Sequence, residues 1–301
     1  MRYVLALLLC LIFCAPAFAG TDARLQTQLQ SMVDAYSGKV ALYATDLRSG
    51  KSIAIDADRP VPTASVIKLT ILFEALKQIE EGKVRLDDRV TLTKAGQVPG
   101  SGVLSLFDTP LTLTLKDALT MMVVVSDNSG TNLVIDRLGL TAIDDRIAWM
   151  GLQNTWLYKK VFEPATGPEP ADQKQFGLGK TTAREMAAVM TRFANCDLDA
   201  PGSHTPPTAQ DRQVCAVALG MLKDQEDRSG IPRYLDPHLV VANKTGADDP
   251  IRNDVAIVYA SNGPIVISVF TYDNTDRSWS DDNAAHLLTA NLAKQIVTTW
   301  Q

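Results

Sequence analysis

The feature that most limits the fold of this 301-residue chain is the placement of its strand-like and helix-like patterns. Val255 to Ala260 and Ile265 to Tyr272 are Val/Ile-rich runs joined by Ser261-Asn262-Gly263-Pro264, a hairpin pattern near the C-terminal end. A second hairpin stands near the other end: Lys39 to Leu47, a turn at Arg48-Ser49-Gly50-Lys51, and Ser52 to Asp56. Between the two, apolar residues recur at helical spacing after Ser65, after Thr114, from Thr131 to Leu138, from Ala142 to Met150, after Thr182 and from Ala209 to Lys223. Helical patterns also run over residues 22–36 and 282–300. The economical solution is an α/β (α+β) chain in which both ends build one antiparallel sheet flanked by helices, with an all-helical lobe inserted. Residues 20–62 and 227–301 are then the α/β lobe and 63–226 the helical lobe, with an active site at their interface.

Residues 1–19 read as a secretory signal: Arg2, an apolar run from Leu5 to Phe13, and Ala17-Phe18-Ala19 before Gly20. That run is too short to span a bilayer, so the expectation is a periplasmic or secreted protein without a stable membrane anchor. Removing the signal takes Cys10 and Cys14 and leaves Cys196 and Cys215, nineteen positions apart. In an oxidising compartment these two can form one disulfide; two buried free thiols are the alternative. With three histidines and no Cys-x-x-Cys, neither a metal site nor another cofactor is expected. A net charge of −5 offers no basic stripe to phosphates, which argues against a nucleic-acid partner. No heptad or interface stripe is evident, so a monomer is the default.

Chemistry enters at Ser65-Val66-Ile67-Lys68, in the first turn of a helix-like run that continues to about Glu80. Three positions apart, the serine and lysine share a helix face. A serine hydroxyl is a weak nucleophile until a base takes its proton, and a desolvated lysine can be that base. Serine and lysine are common, however, and about one Ser-x-x-Lys is expected by chance in a chain of this length. Two further motifs follow in order: Ser126-Asp127-Asn128 at a helix-to-loop junction and Lys244-Thr245-Gly246 at the end of a short apolar run.

In order and setting, this trio resembles the signature of class A β-lactamases and penicillin-binding proteins. The resemblance extends through Arg48-Ser49-Gly50, Met121 to Leu138, Lys180 to Ala187 and the Lys244 strand, covering nearly all of the chain after residue 19. It implies the serine β-lactamase/transpeptidase-like fold and hydrolysis of a small-molecule β-lactam through a Ser65 acyl-enzyme. It also implies individual roles. Ser65 is the nucleophile and Lys68 its base. Ser126 relays a proton to the leaving nitrogen, and Lys244 polarises Ser126. The N–H groups of Ser65 and Ala247, the latter following Gly246, form the oxyanion hole. Asn128 binds the substrate's side-chain amide, Thr245 and Arg252 grip its carboxylate, and Asp127 ties the loop to backbone N–H groups.

The match thins in the long loop of residues 151–179, where the family places a glutamate that activates the deacylating water. Phe162-Glu163-Pro164 supplies a Glu-Pro pair at the expected distance, but Ala165-Thr166 replaces the family's Leu-Asn, and Glu169-Pro170 offers a second register. Glu163 is the assigned base. Without a placed base, deacylation slows by about 10²–10⁴-fold. The alternatives are therefore a penicillin-binding carboxypeptidase acting on D-Ala-D-Ala peptides, another serine esterase or amidase, and a non-catalytic sensor or binding module.

Overall fold

Five strands form one antiparallel sheet in a computed structural model that describes residues 20–165, 171–203 and 205–301. They are β1 (Lys39–Asp46), β2 (Ser52–Ile55), β3 (Val240–Asp248), β4 (Ile251–Ala260) and β5 (Gly263–Tyr272), in the spatial order β2-β1-β5-β4-β3. Both hairpins of the sequence are present, and β1 joins them by pairing with β5 from Lys39↔Tyr272 to Asp46↔Ile265. The principal helices are α1 (Ala23–Asp34), α2 (Lys68–Glu80), α3 (Leu115–Val124), α4 (Asn128–Leu138), α5 (Leu140–Trp149), α6 (Ala183–Asn195), α7 (Ala209–Lys223) and α8 (Ala284–Trp300). The proposed leader, residues 1–19 with Cys10 and Cys14, and also Glu169 lie outside the described residues.

Alternation along the strands separates two cores. Leu42, Ala44, Ile53, Ile267 and Val269 pack with Leu25 and Leu29 of α1 and Leu292 and Ile296 of α8. Ala41, Val255, Ile257, Val266 and Phe270 point the other way and join the core of the helical segment, with α6 lying across the sheet. Because helices cover both faces, residues 255–258 of β4 and 265–270 of β5 read as runs dominated by Val and Ile. Helix α2 is enclosed all round: every residue from Lys68 to Gln78 is buried. Its apolar sequence suits that position, and Lys68, Glu74 and Lys77 are the ionisable residues that must find partners there.

Helix starts follow the capping chemistry of the sequence. Thr114 with Asp117 and Thr208 with Asp211 form reciprocal capping boxes, and Thr182 accepts from the Glu185 N–H.

The middle of the chain differs from the all-helical expectation. Arg89–Leu92 pairs with Leu111–Thr114, and Val61–Pro62, Gly179–Thr181 and Trp156–Leu157 form a three-stranded patch. Arg-Val-Thr-Leu and Leu-Thr-Leu-Thr do alternate with period two, but each is four residues long and set among turn residues, which hides the pattern. The three-stranded patch matters for function. It fastens both ends of the 158–178 loop to the segment that leads into Ser65.

Among the described residues, no helix is long and apolar enough to cross a membrane. Cys196, the left-handed cap of α6, is joined to Cys215 on α7, with Cα atoms 5.8 Å apart. A cross-link closing a loop of this length restricts the unfolded chain by about 3 kcal/mol. The double variant Cys196→Ala/Cys215→Ala is expected to lose stability of that order in urea unfolding, and an unchanged midpoint would show that the bridge contributes nothing.

Candidate active site

Ser65 sits in a short 3₁₀ turn, Ala64–Ile67, that runs directly into α2. The approach to it is held from two sides. Thr63 donates its N–H to the Gly179 carbonyl. Asn253 on β4 donates its amide to the carbonyls of Pro62 and Thr63, at 3.0 and 3.2 Å, and accepts from the Thr271 N–H. Ala64 is held at φ +43°, a conformation that costs a non-glycine residue free energy and recurs at functional sites.

Strand β3 presses its Lys244-Thr245-Gly246 stretch against this turn. A Cβ at Gly246 would lie 2.7 Å from the Thr63 carbonyl oxygen, 2.8 Å from the Val66 nitrogen and 2.9 Å from the Ser65 nitrogen. Only glycine permits that approach, and it brings Ala247 beside Ser65 on one cleft.

The third side is the 126–128 loop. Asp127 caps α4 through the Gly130 N–H, and its other oxygen accepts from the N–H groups of Val103 and Leu104 at 2.6 and 2.8 Å. This anchoring holds Ser126 at φ +55° and faces Asn128 toward α2. Gly102, at φ +95°, is required because any Cβ there would overlap Asp127.

The three motifs meet at one hydroxyl. Lys68 Nζ donates to the Ser126 carbonyl at 2.7 Å, to Ser126 Oγ at 3.2 Å and to Asn128 Oδ1 at 3.2 Å. Lys244 Nζ donates to Ser126 Oγ at 3.0 Å and to the Thr245 carbonyl. Both lysines are fully buried. Burial, followed by the charge of Lys244, drives Lys68 well below the ordinary lysine range, and Asp127 only partly opposes this. Burial lowers Lys244 to about 8, opposed by the nearby carboxylates Asp227 and Asp254. Asp254 is itself pushed up to about 7 by burial, although Asn243 and the Ile231 N–H donate to it. Asp227 goes down despite its burial, because Ser229 and Thr245 donate to it.

A family model for the β-lactamase enzyme family matches residues 24–300. The chain belongs to this family. It is 27% identical over 299 residues to a β-lactamase of Amycolatopsis lactamdurans, covering 94% of this chain and 85% of the relative. It is 26% identical over 251 residues to β-lactamase 3 of Bacillus cereus, covering 82% and 73%. The fold matches the crystal structure of a β-lactamase from Sphaerobacter thermophilus, with a TM-score of 0.77, 24% identity, and 92% and 97% of the two chains covered. It also matches PBP-A, with a TM-score of 0.76, 22% identity, and 93% and 96% covered.

Two residues assigned from the family pattern stand elsewhere than that pattern implies. Arg252 is buried, and its guanidinium donates to the carbonyls of Asp248 at 2.5 Å, Ile251 at 2.7 Å and Ser278 at 2.7 Å. It holds the β3–β4 turn and lies under the Trp279 ring at 4.4 Å, outside the cleft lining. The short turn accounts for this: with two residues between β3 and β4, the side chain folds back onto the turn's own carbonyls.

Glu163 pairs with Lys160 at 3.0 Å and opens on a cavity lined by Asp136, Gly139 and Leu140, separate from the one that holds Ser65. The residues that the loop presents to the Ser65 cleft include Val161 and Phe162. Asn132 on α4 fixes this register by donating to the Val161 carbonyl at 3.0 Å and accepting from its N–H at 2.8 Å. Sequence reading passed over Asn132, Asn253, Asp227, Asp254 and Trp279. Only Asn253 and Asp254 carried a local signal, lying on the strand opposite Gly246 and Thr245. Among the described residues, no group of three or more His, Cys, Asp or Glu side chains is placed to hold a metal ion.

Asp127→Ala would take the acceptor from the N–H groups of Gly130 and Leu104, whose bonds are buried, and from that of Val103, whose bond is partly buried; a buried, unpaired N–H costs about 1–3 kcal/mol. The expected result is a loss of at least about 2 kcal/mol in chemical unfolding. A loss under about 1 kcal/mol would show that the loop does not depend on that carboxylate.

Proposed function

We propose that this protein is a serine hydrolase that opens β-lactams through an acyl-enzyme on Ser65 and hydrolyses that acyl-enzyme slowly. The observation that carries the reading is the meeting of Lys68 and Lys244 at Ser126 Oγ, beside a serine at the mouth of α2. In the neutral state favoured by burial, Lys68 takes the Ser65 proton as Oγ bonds to the lactam carbonyl carbon. The N–H groups of Ser65 and Ala247 hold the oxygen of the tetrahedral intermediate. As the C–N bond breaks, the nitrogen takes the Ser126 proton, and Lys68 returns its own to Ser126. Asn128 and Thr245 bind the substrate's amide and carboxylate, and Lys244 keeps Ser126 polarised. Arg252 acts from behind, by holding the turn after Ala247. No nucleic acid, cofactor or second subunit is needed for this chemistry, and export through the residue 1–19 leader fits a monomeric periplasmic or secreted enzyme.

Hydrolysis of the ester requires a base beside a water. The side chains that support a slow step are Val161 and Phe162, which the loop turns toward Ser65 while Glu163 turns toward Lys160. Lacking a positioned base, deacylation is expected to be about 10²–10⁴-fold slower than with one. The second reading, a penicillin-binding peptidase, uses the same acylation step and differs in the acyl group supplied.

Intact-mass spectrometry after mixing with benzylpenicillin tests the proposal. A covalent adduct on wild type that persists for minutes, is absent in Ser65→Ala and decays at the same rate in Glu163→Gln supports it. No adduct sinks the acyl-enzyme. An adduct that vanishes within seconds sinks the slow step, and trapping by Glu169→Gln would then place the base at Glu169.

The lysines also predict the pH dependence of acylation. The rate rises as Lys68 loses its proton and falls as Lys244 loses its own near pH 8. Because arginine stays protonated throughout this range, Lys244→Arg is expected to move the descending limb to higher pH. An unmoved limb would take Lys244 out of the profile.

A further inference from the structure

Two exposed aromatic rings stand on the wall of the Ser65 cleft, and neither has a role in the acyl transfer described above. Phe162 is 64% exposed and Trp279 is 69% exposed, yet both line the cavity of about 430 Å³ that contains Ser65 and Asn128. Large apolar rings left in water at the nucleophile's cleft await a partner for their faces.

Each ring is held in place at some cost. Phe162 adopts φ +57°, unfavourable for a bulky residue, while Asn132 clamps the residue before it. Its ring fits because Gly100 opposite has no side chain: a Cβ there would lie 3.1 Å from Phe162 Cε2 and 2.7 Å from Asn128 Nδ2. Trp279 rests on the Arg252 guanidinium, 4.4 Å from the ring centroid, and Arg252 donates at 2.7 Å to the carbonyl of the preceding residue, Ser278. The buried arginine thus fixes both the ring and the backbone that carries it.

We infer that Phe162 and Trp279 form an aryl-binding subsite that selects substrates whose acyl arm ends in an aromatic or planar apolar group. The inference rests on the acyl-enzyme reading of Ser65. The position follows from the site itself. Phe162 and Asn128 both face Gly100, Asn128 being the residue that takes the arm's amide, and Trp279 lines the same cleft with Ala247 and Asp248. An arm attached at Ser65 and passing Asn128 would therefore extend between the two ring-bearing walls. Aromatic groups prefer offset or edge contacts with such rings, and an aryl arm recovers apolar area that a bare nucleus leaves exposed. Arg252 is a positioning residue in this scheme, acting through Trp279.

The test compares acylation by benzylpenicillin with acylation by 6-aminopenicillanic acid, which has the same nucleus without the arm. The reading is the ratio of their second-order rate constants, followed by intact mass. Wild type is expected to favour the aryl substrate by about tenfold or more, the scale of burying one ring. That ratio is expected to fall about tenfold in Trp279→Leu and Phe162→Leu, and by less in Trp279→Phe, which keeps a ring. Arg252→Lys is expected to lower the ratio while thermal unfolding verifies that the variant is folded. Ratios within twofold of wild type in both leucine variants would overturn the subsite and leave the acyl-enzyme standing. Failure of both substrates to label wild type would overturn the acyl-enzyme reading, and the subsite with it.

Discussion

Two lysine side chains, buried at the junction of the sheet and the helical segment, share a single hydroxyl. Everything else in the fold is arranged so that Lys68 and Lys244 can occupy that position. An isolated charge placed there would cost several kcal/mol. The protein meets this in two ways. Lys244 keeps the carboxylates of Asp227 and Asp254 close, whereas Lys68 has a strongly lowered proton affinity and spends its hydrogen bonds on neutral oxygens of Ser126 and Asn128. The asymmetry is chemically useful. One lysine is prepared to accept a proton and the other to remain a cation, although both are equally buried and both touch Ser126.

Such an arrangement needs three separate stretches of chain brought within hydrogen-bonding distance, so it depends on close backbone approach. Gly246 lets β3 lie against the turn of Ser65, Gly102 lets residues 103 and 104 reach Asp127, and Asn253 bonds the sheet to the two carbonyls just before the turn. The sites of tightest approach are also where backbone strain collects, at Ala64 and Ser126. Strain of this kind survives only where the surroundings over-determine the conformation. Here they do: each strained residue is flanked by side chains or strands anchored in the core.

Much of this was legible in the sequence because it follows from periodicity. Four of the five sheet strands, the caps at Thr114 and Thr182, and the three motifs each announce themselves within a dozen residues. Asp127's anchoring role came from the family resemblance and not from a local pattern. The Arg252 and Glu163 assignments rested instead on spacing to a family pattern, and spacing does not determine direction. A two-residue turn after Asp248 sends the Arg252 side chain onto nearby carbonyls. A one-residue shift in a loop exchanges which side chain faces the cleft, and Asn132, thirty-one positions before Glu163, decides that register through backbone contacts that no local pattern records. Trp279 was invisible for a related reason: its significance comes from Arg252 beneath it, and only the fold brings the two together.

The two halves of the proposed reaction draw on unequal parts of the structure. Acylation uses Ser65, Lys68, Ser126 and Lys244, all fixed by α2, β3 and the 126–128 loop. Deacylation depends on what the 158–178 loop presents to the ester. That loop is fastened at both ends by the small three-stranded patch and held near its start by Asn132, which bonds the backbone of residue 161 and not its side chain. The valine side chain at that position offers water no acceptor for its proton. In the proposed reaction the lifetime of the acyl-enzyme therefore rests with one loop, while the rate of its formation rests with the buried lysines.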